Sequence, residues 1–501
     1  MAGLLSGQSK RANQIQAPDT AMRIQTSIQG RPRPLVYGQT RIAPNITLAT
    51  NFTPILGPSG QPGVAGGKGG SGGGKGTQQT TWVWYYFCDI IFSFGSVPII
   101  NIPTVWNGSA VAMVNTSSCF WGNPNDTSLG NTTITSLMGA PSTGNGAGSS
   151  LVSPSGSTLY SGTYSQTSWP YMATSHPEYD LSYRGEAYLA WQTVALGQQS
   201  TIPSLNFEIV SSISWDVLTL GPDANPKDVI VDYLTNPDHG VPSFLSSYLG
   251  DLTSYRDYCR ATGMLVSIAE TSTRDAASFL SELVTMTNAN FRWSSGKLDI
   301  VPYGDSAVTG NGVTCTPNTT PVYGFTLDDI LPNQGGSGSS PIAVTRKPRS
   351  EIINHMRMEY LSRPFFYNPE VVDIIDEASV ATYGMERVSD LKQAHMFCLP
   401  SAASIACALQ LQRAQISAQY VFTVGRRFIL LDPMDIITLT DPTLGMVGLP
   451  ARITEMQENS DGTITITAEE YTGTTSAPAF GSQRTYGGVV NFNINPGPVR
   501  A

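Results

Sequence analysis

Asn225-Pro226-Lys227-Asp228-Val229-Ile230-Val231-Asp232-Tyr233-Leu234-Thr235-Asn236-Pro237 is the stretch whose reading decides the fold. It opens with an asparagine in the N-cap position, a proline at the first helical position and an aspartate in the first turn. Val229, Ile230, Tyr233 and Leu234 fall on one helical face. A second helix follows from Tyr255 to Thr262, with Ser254 expected as its cap and Gly263 as its stop. Met264 to Ala269 reads as a strand. A third helix is expected over about 274–288, burying Ala276, Phe279, Leu280, Leu283 and Met286. Phe291-Arg292-Trp293, Ser295-Gly296 and Leu298-Asp299-Ile300 form a hairpin pattern. Residues 219–305 therefore read as an ααβαββ unit, an α/β domain.

Outward from this unit the chain is β-rich. Upstream, Tyr183 to Trp191 is strand-like, and Ile202 to Val210 alternates as a half-buried strand. Arg31 to Ile42 reads as strand, glycine turn, strand. Trp82 to Ile102 has membrane-like hydropathy with Asp89 as its one charge, but Gly95 and Pro98 interrupt it, and its aromatic and β-branched content favours paired strands. Asn107-Gly108 marks a hairpin turn. Residues 1–30 read as a polar arm, 57–76 as a Gly-rich loop and 107–180 as a loop-rich insertion.

Downstream, residues 306–340 read as a polar connection. From 341 to 360 the chain alternates, with Ile352, Asn354, Met356, Met358 and Tyr360 on one face. Residues 375–418 return to helix and are expected to pack on the α/β unit. Asp435 to Thr440, Ala451 to Met456 and Thr463 to Glu470 form a closing β domain, with a turn at Asn459-Ser460-Asp461-Gly462. Residues 475–501 are a Gly/Pro-rich tail. The expected class is multidomain α+β and β-rich: a first β domain at 31–218, the α/β domain at 219–305, a second β domain at 306–374 and 419–474, and helices at 375–418 between its halves.

Composition removes several functions. Charged residues make up 13% of the 501, about half the usual share, and the net charge is −9 without any basic stripe, so electrostatic gripping of nucleic acid is not expected. Cys88, Cys119, Cys259, Cys315, Cys398 and Cys407 form no C-x-x-C pair and read as scattered reduced thiols. His176, His239, His355 and His395 do not cluster, so no zinc site is expected. Gly69 to Lys75 mimics a phosphate-binding loop, but Gly76 stands where a Ser or Thr would ligate magnesium, and no apolar strand leads in. No secretory leader is read in residues 1–30.

Two carboxylate pairs, Glu469/Glu470 and Asp328/Asp329, are the only candidates for hydrolytic chemistry, and neighbours on a strand point to opposite faces. No H-E-x-x-H, G-x-S-x-G or Cys–His pattern accompanies them. No catalytic, cofactor-binding or metal-binding residue is assigned. Trp121 and Trp169 in the insertion offer aromatic surface to a glycan, or else pack in a small cluster.

Four patches in order resemble the tail hub proteins of tailed bacteriophages, the tip-attachment (host-specificity J-like) proteins and the hubs of gene transfer agents. They are Leu35-Val36-Tyr37-Gly38; Tyr183-Arg184-Gly185-Glu186-Ala187-Tyr188 with Ile202 to Glu208; Val229 to Pro237 with Tyr255 to Gly263; and Leu431 to Ile437 continuing to Glu470. The resemblance implies two β-barrel-like hub domains per subunit and a homotrimeric ring that adapts a sixfold tail tube to a threefold tip. It implies a place at the distal end of the virion tail, with tube proteins, a tape measure protein and fibre or spike proteins as neighbours. DNA would pass through the lumen without specific binding. The longer members' fibronectin-like repeats and receptor-binding extension have no counterpart here, so host recognition is expected to fall to another protein. The other reading carried from the residues is a tail-associated glycan-binding or glycan-hydrolysing protein.

Overall fold

A computed structural model describes residues 32–58, 82–108, 110–115, 132–133, 137–139, 157–198, 200–212, 221–332 and 340–473. The arm, the phosphate-loop mimic, Trp121, Cys119 and the C-terminal tail lie outside the described residues. The chain divides into two compact units: Met1–Arg31, Ile42–Phe120 and Ser128–Ile209 make one, and Pro32–Arg41, Trp121–Thr127 and Val210–Ala501 the other.

In the first unit, Asn45–Pro58 and Trp82–Gly95 pair as one long antiparallel hairpin. Ala187–Gly197 pairs with the far side of Trp82–Gly95, and Ser157–Ser161 continues the sheet. A second sheet carries Leu205–Ser211, Thr104–Asn107, Ala110–Asn115 and Leu137–Gly139. The hairpin expected at Asn107-Gly108 forms, with Gly108 at φ +61°. Phe92 and Phe94 project from the first sheet onto Phe207 of the second, each with ring centroids 5.2 Å apart. On the opposite face of the first sheet, Ile91 packs with Tyr160, Trp169, Met172 and Tyr188.

Strand Trp82–Gly95 is thus covered on both sides, which is why the sequence around it has almost no polar positions. No helix among the described residues is long and apolar enough to cross a membrane. Two sequence expectations change here. Leu205–Ser211 is almost wholly buried rather than half-buried, because both its faces are packed. The loop-rich insertion over 107–180 carries short regular elements where it is described: Ser157–Ser161 is a sheet strand and Pro170–Ser175 a short helix, with irregular chain between them. A few large apolar anchors, Leu159, Tyr160, Trp169 and Met172, suffice to fix a segment whose average composition is polar. The strand after Tyr183 also starts later than read, at Ala187, because Tyr183 (φ +42°) and Gly185 (φ +76°) form a turn.

The second unit contains the α/β elements in the expected order. Pro226–Thr235 is capped by Asn225, whose side chain accepts from the Lys227 N–H. Thr253–Thr262 stops at Gly263, φ +73°. It starts two residues earlier than Ser254 implied, and Asp251 takes the Thr253 N–H. Ala276–Met286 is capped by Asp275 and buries Phe279, Leu280, Leu283 and Val284; Ala276 and Met286 are only half-buried. Ala289–Ser294 and Lys297–Pro302 form the hairpin. Leu35–Tyr37, upstream of the first unit's strands, pairs with Ile268–Glu270 of this unit.

A six-stranded sheet follows, in the order Tyr323–Phe325, Ile436–Asp441, Met446–Glu458, Ile464–Glu470, Ala418–Val424, Ala343–Arg346. Its first strand therefore comes from the region read as a polar connection. No sheet closes into a barrel by hydrogen bonding among the described residues. This one curls strongly, however. Leu331 donates to Thr423 O of the fifth strand, so residues 326–330 alone link that strand to the first. Five residues span at most about 17 Å. Phe325 from one edge meets Phe422 near the other at 5.3 Å, inside a common core with Ile437, Ile453 and Ile466.

The region 375–418 holds two helices, Glu377–Tyr383 and Pro400–Ala414, with an extended stretch between them instead of continuous helix. Pro400–Ala414 lies against a three-stranded sheet made of Asn368–Ile375, His355–Ser362 and Lys392–Gln393. Ile352, Asn354, Met356, Met358 and Tyr360 are all buried, as their alternation implied. Gln410 donates to Thr285 O at 2.6 Å, which ties this helix to the α/β elements.

Candidate assembly site

Most described side chains that could carry chemistry are held in structural contacts. Glu469 takes a two-pronged hydrogen bond from Arg413 at 2.6 and 3.0 Å, and Glu470 accepts from Ser417. Asp329 caps the turn at Thr326 and receives Tyr323 and Arg427; its pKa lies below the usual carboxylate range because these donors outweigh its partial desolvation. Asp328 is exposed. Neither adjacent pair converges on a shared cleft, and no group of three metal-ligating side chains gathers among the described residues.

The histidines are dispersed as the sequence implied. His239 Nε2 and the Tyr37 hydroxyl both meet Asp232 Oδ2 at 2.8 Å. Burial pulls the Asp232 pKa up, but His239, Asn236 and Tyr37 together hold it below the usual value. His395 meets Glu359 at 2.7 Å. His355 stands between Asp373 and Glu386; burial lowers its pKa, and the two carboxylates more than reverse this and raise it. The five described cysteines are free thiols. Burial raises Cys88 and Cys407 to about 12, so neither is a thiolate nucleophile at neutral pH. Trp169 is 5% exposed and packs on Tyr171, the cluster alternative for that residue.

Three polar locks were not foreseen. In the first unit, Asp89 is buried in the middle of strand Trp82–Gly95. It accepts from Asn51 Nδ2 at 2.8 Å, Tyr171 OH at 2.7 Å and the Thr193 N–H at 2.6 Å. Asn51 (φ +53°) and Thr193 (φ +57°) sit in bulges of the two neighbouring strands, so one carboxylate pins irregularities on both sides. In the second unit, Arg363 is buried against Asp223, Ser267 Oγ and Gln39 O. Desolvation opposes the Arg363 charge, but the Asp223 carboxylate reverses that and its pKa is raised. The third lock centres on Tyr303. Arg413 lies 3.5 Å and Arg452 5.3 Å from its ring centre, and Arg452 donates to Asp305 at 2.6 Å. These partners lie far apart in sequence, Asp305 and Arg452 by 147 positions, and no local pattern announces them.

What the described surface offers is apolar contact. Leu430 is 90% and Val447 83% exposed, each beside a buried neighbour, Leu431 and Met446. Leu430 lies on the connection between Ala418–Val424 and Ile436–Asp441, and Val447 at the start of strand Met446–Glu458. Exposed Val371 and Ile375 share one face of strand Asn368–Ile375. Large aliphatic side chains left this open are surface that a protein neighbour can bury.

Comparison with known proteins bears on this. Residues 275–456 match a family model described as "Putative phage tail protein", so the resemblance to phage tail proteins holds over the α/β hairpin and most of the curled sheet. Among solved structures, a chain of the virion of a native gene transfer agent particle is similar over 95% of this chain and 91% of its own length, with 16% identity and a TM-score of 0.52. That likeness is one of fold. The prophage tail protein gp18 from Listeria monocytogenes EGD-e also matches, at 10% identity over 41% of this chain and 56% of its own, with a TM-score of 0.25. No curated protein matches.

Proposed function

We propose that this chain is a structural protein at the distal end of a phage or phage-derived tail, acting as a hub. Three copies form a ring that caps the tail tube, adapts sixfold to threefold symmetry and lets DNA pass on ejection. The β domains at 31–218 and at 306–374 with 419–474 line the ring, and the α/β domain at 219–305 sits on it. Its neighbours are tube, tape measure and fibre or spike proteins.

One observation carries this reading: a fold shared over nearly the whole chain with a protein of a gene transfer agent virion. The tail-protein family match over 275–456 points the same way. The curled six-stranded sheet fits a barrel-like hub domain. Leu430 and Val447 give a subunit something to bury on neighbours. A net charge of −9 suits a lumen that DNA crosses without sticking. Native mass measurement of the purified protein, with images of the same sample, tests the ring. A particle of about three subunits with threefold views and a central hole is expected. A monomer that also fails to assemble with tail tubes would refute it.

A further inference from the structure

One face of the hairpin Ala289–Ser294 and Lys297–Pro302 forms the floor of a cleft of about 330 Å³. Arg292 stands opposite Asp299, and Ser294 opposite Lys297, so alternation puts all four side chains on this face. The wall is the segment that leads into helix Thr253–Thr262. It is fastened to the floor by the Gly250 N–H, which donates to Leu298 O at 3.0 Å. Gly250 has no positive φ that would call for glycine. What its position forbids is a Cβ, which would overlap Asp299 Oδ1. The glycine thus leaves room for the carboxylate between floor and wall.

The charges lining the cleft balance: Arg292 and Lys297 against Asp251 and Asp299. Two more carboxylates stand behind it. Asp432 accepts from Ser294 at 2.7 Å, and Asp435 lies 3.9 Å from Arg292. An anion would meet this excess of carboxylates, and a cation would meet Arg292 and Lys297. A neutral ligand meets neither penalty, and hydrogen-bonding groups are left over for it. Lys297 faces no carboxylate partner among the described residues, and the Ser254 and Ser295 hydroxyls are unspent there. Arg292 donates to Asp299 Oδ2 at 3.2 Å, which leaves Oδ1 as an acceptor. No aromatic ring lines the cleft, so a nucleobase has nothing to stack on. Donors and acceptors side by side suit neighbouring hydroxyls, each of which both donates and accepts.

We propose that this cleft binds a neutral sugar of one or two rings. Lys297, Ser254 and Ser295 donate to its hydroxyls, and Asp299 Oδ1 accepts from them. The volume lies at the small end for ligand sites, which sets the size limit. The inference does not depend on the hub reading, because every residue of the cleft belongs to one compact unit of a single chain.

Calorimetric titration of the full chain with glucose, galactose, N-acetylglucosamine and cellobiose tests it, with inorganic phosphate as the anionic comparison. At least one of the four sugars is expected to bind, with a Kd of about 1 mM. Lys297→Met and Asp299→Asn each remove a charge-assisted hydrogen bond and are expected to weaken that binding about tenfold. Lys297 is exposed, so its variant keeps the melting temperature and separates lost binding from lost fold. Trp293 is 58% exposed and stands opposite Leu298 on the other face of the hairpin, so Trp293→Ala should leave binding unchanged. Failure of all four sugars to bind overturns the proposal. So does sugar binding that neither cleft variant weakens, or that only Trp293→Ala abolishes. Phosphate binding tighter than every sugar overturns it in favour of an anion site.

Discussion

Arg452 donates to Asp305 at 2.6 Å with both side chains almost wholly buried, 8% and 2% exposed. The pair joins the end of the α/β hairpin to the curled sheet, and the Tyr303 ring lies against the same guanidinium. Asp305→Ala leaves a buried cation without its partner and is expected to cost about 3–5 kcal/mol. Replacing both residues with apolar side chains of similar volume should cost markedly less. Urea unfolding of the two variants measures the difference.

Asp89→Ala removes the acceptor for three donors in the first unit. A loss of about 2–4 kcal/mol is expected, since the Thr193 N–H and the two side-chain donors lose their partner. Exchange protection should fall in strands 45–58 and 187–197 before it falls in the second unit. Unchanged stability would mean the bulges are held by packing alone.

Gly38 has φ +73°, and a Cβ there would lie 2.8 Å from Val266 O. Gly38→Ala is therefore expected to be worse than Gly263→Ala, which breaks only a helix stop at about 1 kcal/mol. Thermal melts of both proteins rank them.

His355 titrates above the usual histidine value because Asp373 and Glu386 face it, despite its burial. A raised folded pKa stabilises the fold fully below about 6.5, and that contribution is lost as pH rises through the folded value. Stability of the unaltered protein should therefore decline over this range more than that of His355→Gln. Parallel pH–stability curves for the two would contradict the assignment.

Leu430→Asp and Val447→Asp should leave the melting temperature of the isolated chain within about 1 kcal/mol of unaltered stability, because neither side chain packs in the core. They should weaken association. Sedimentation across a concentration series reads this directly.

Much of the second unit was legible because its signals are local. Asn225-Pro226, Gly263 and the Ser295-Gly296 turn act within a few residues, so caps and hairpin follow from sequence alone. Ser254 misled because any short polar residue near a helix start looks like a cap; Asp251, three residues earlier, takes that role for Thr253. Segment 157–175 was hidden for the opposite reason. Its average is polar, and Trp169 and Met172 find their partners Tyr160 and Tyr188 only in the folded sheet. The locks at Asp89, Arg363 and Tyr303 join distant positions, which no window along the chain can display. The tail-protein resemblance was legible as ordered patches, each short, and the family match over 275–456 reaches the last of them.

The central claim is that the chain is built into the distal tail. Immunogold labelling of intact tailed particles from the strain that encodes it, with antibody raised against the purified protein, tests this most directly. The account predicts gold at the tail end remote from the head on most particles. Label on the head, along the tube or absent from particles that contain the other tail proteins would contradict it.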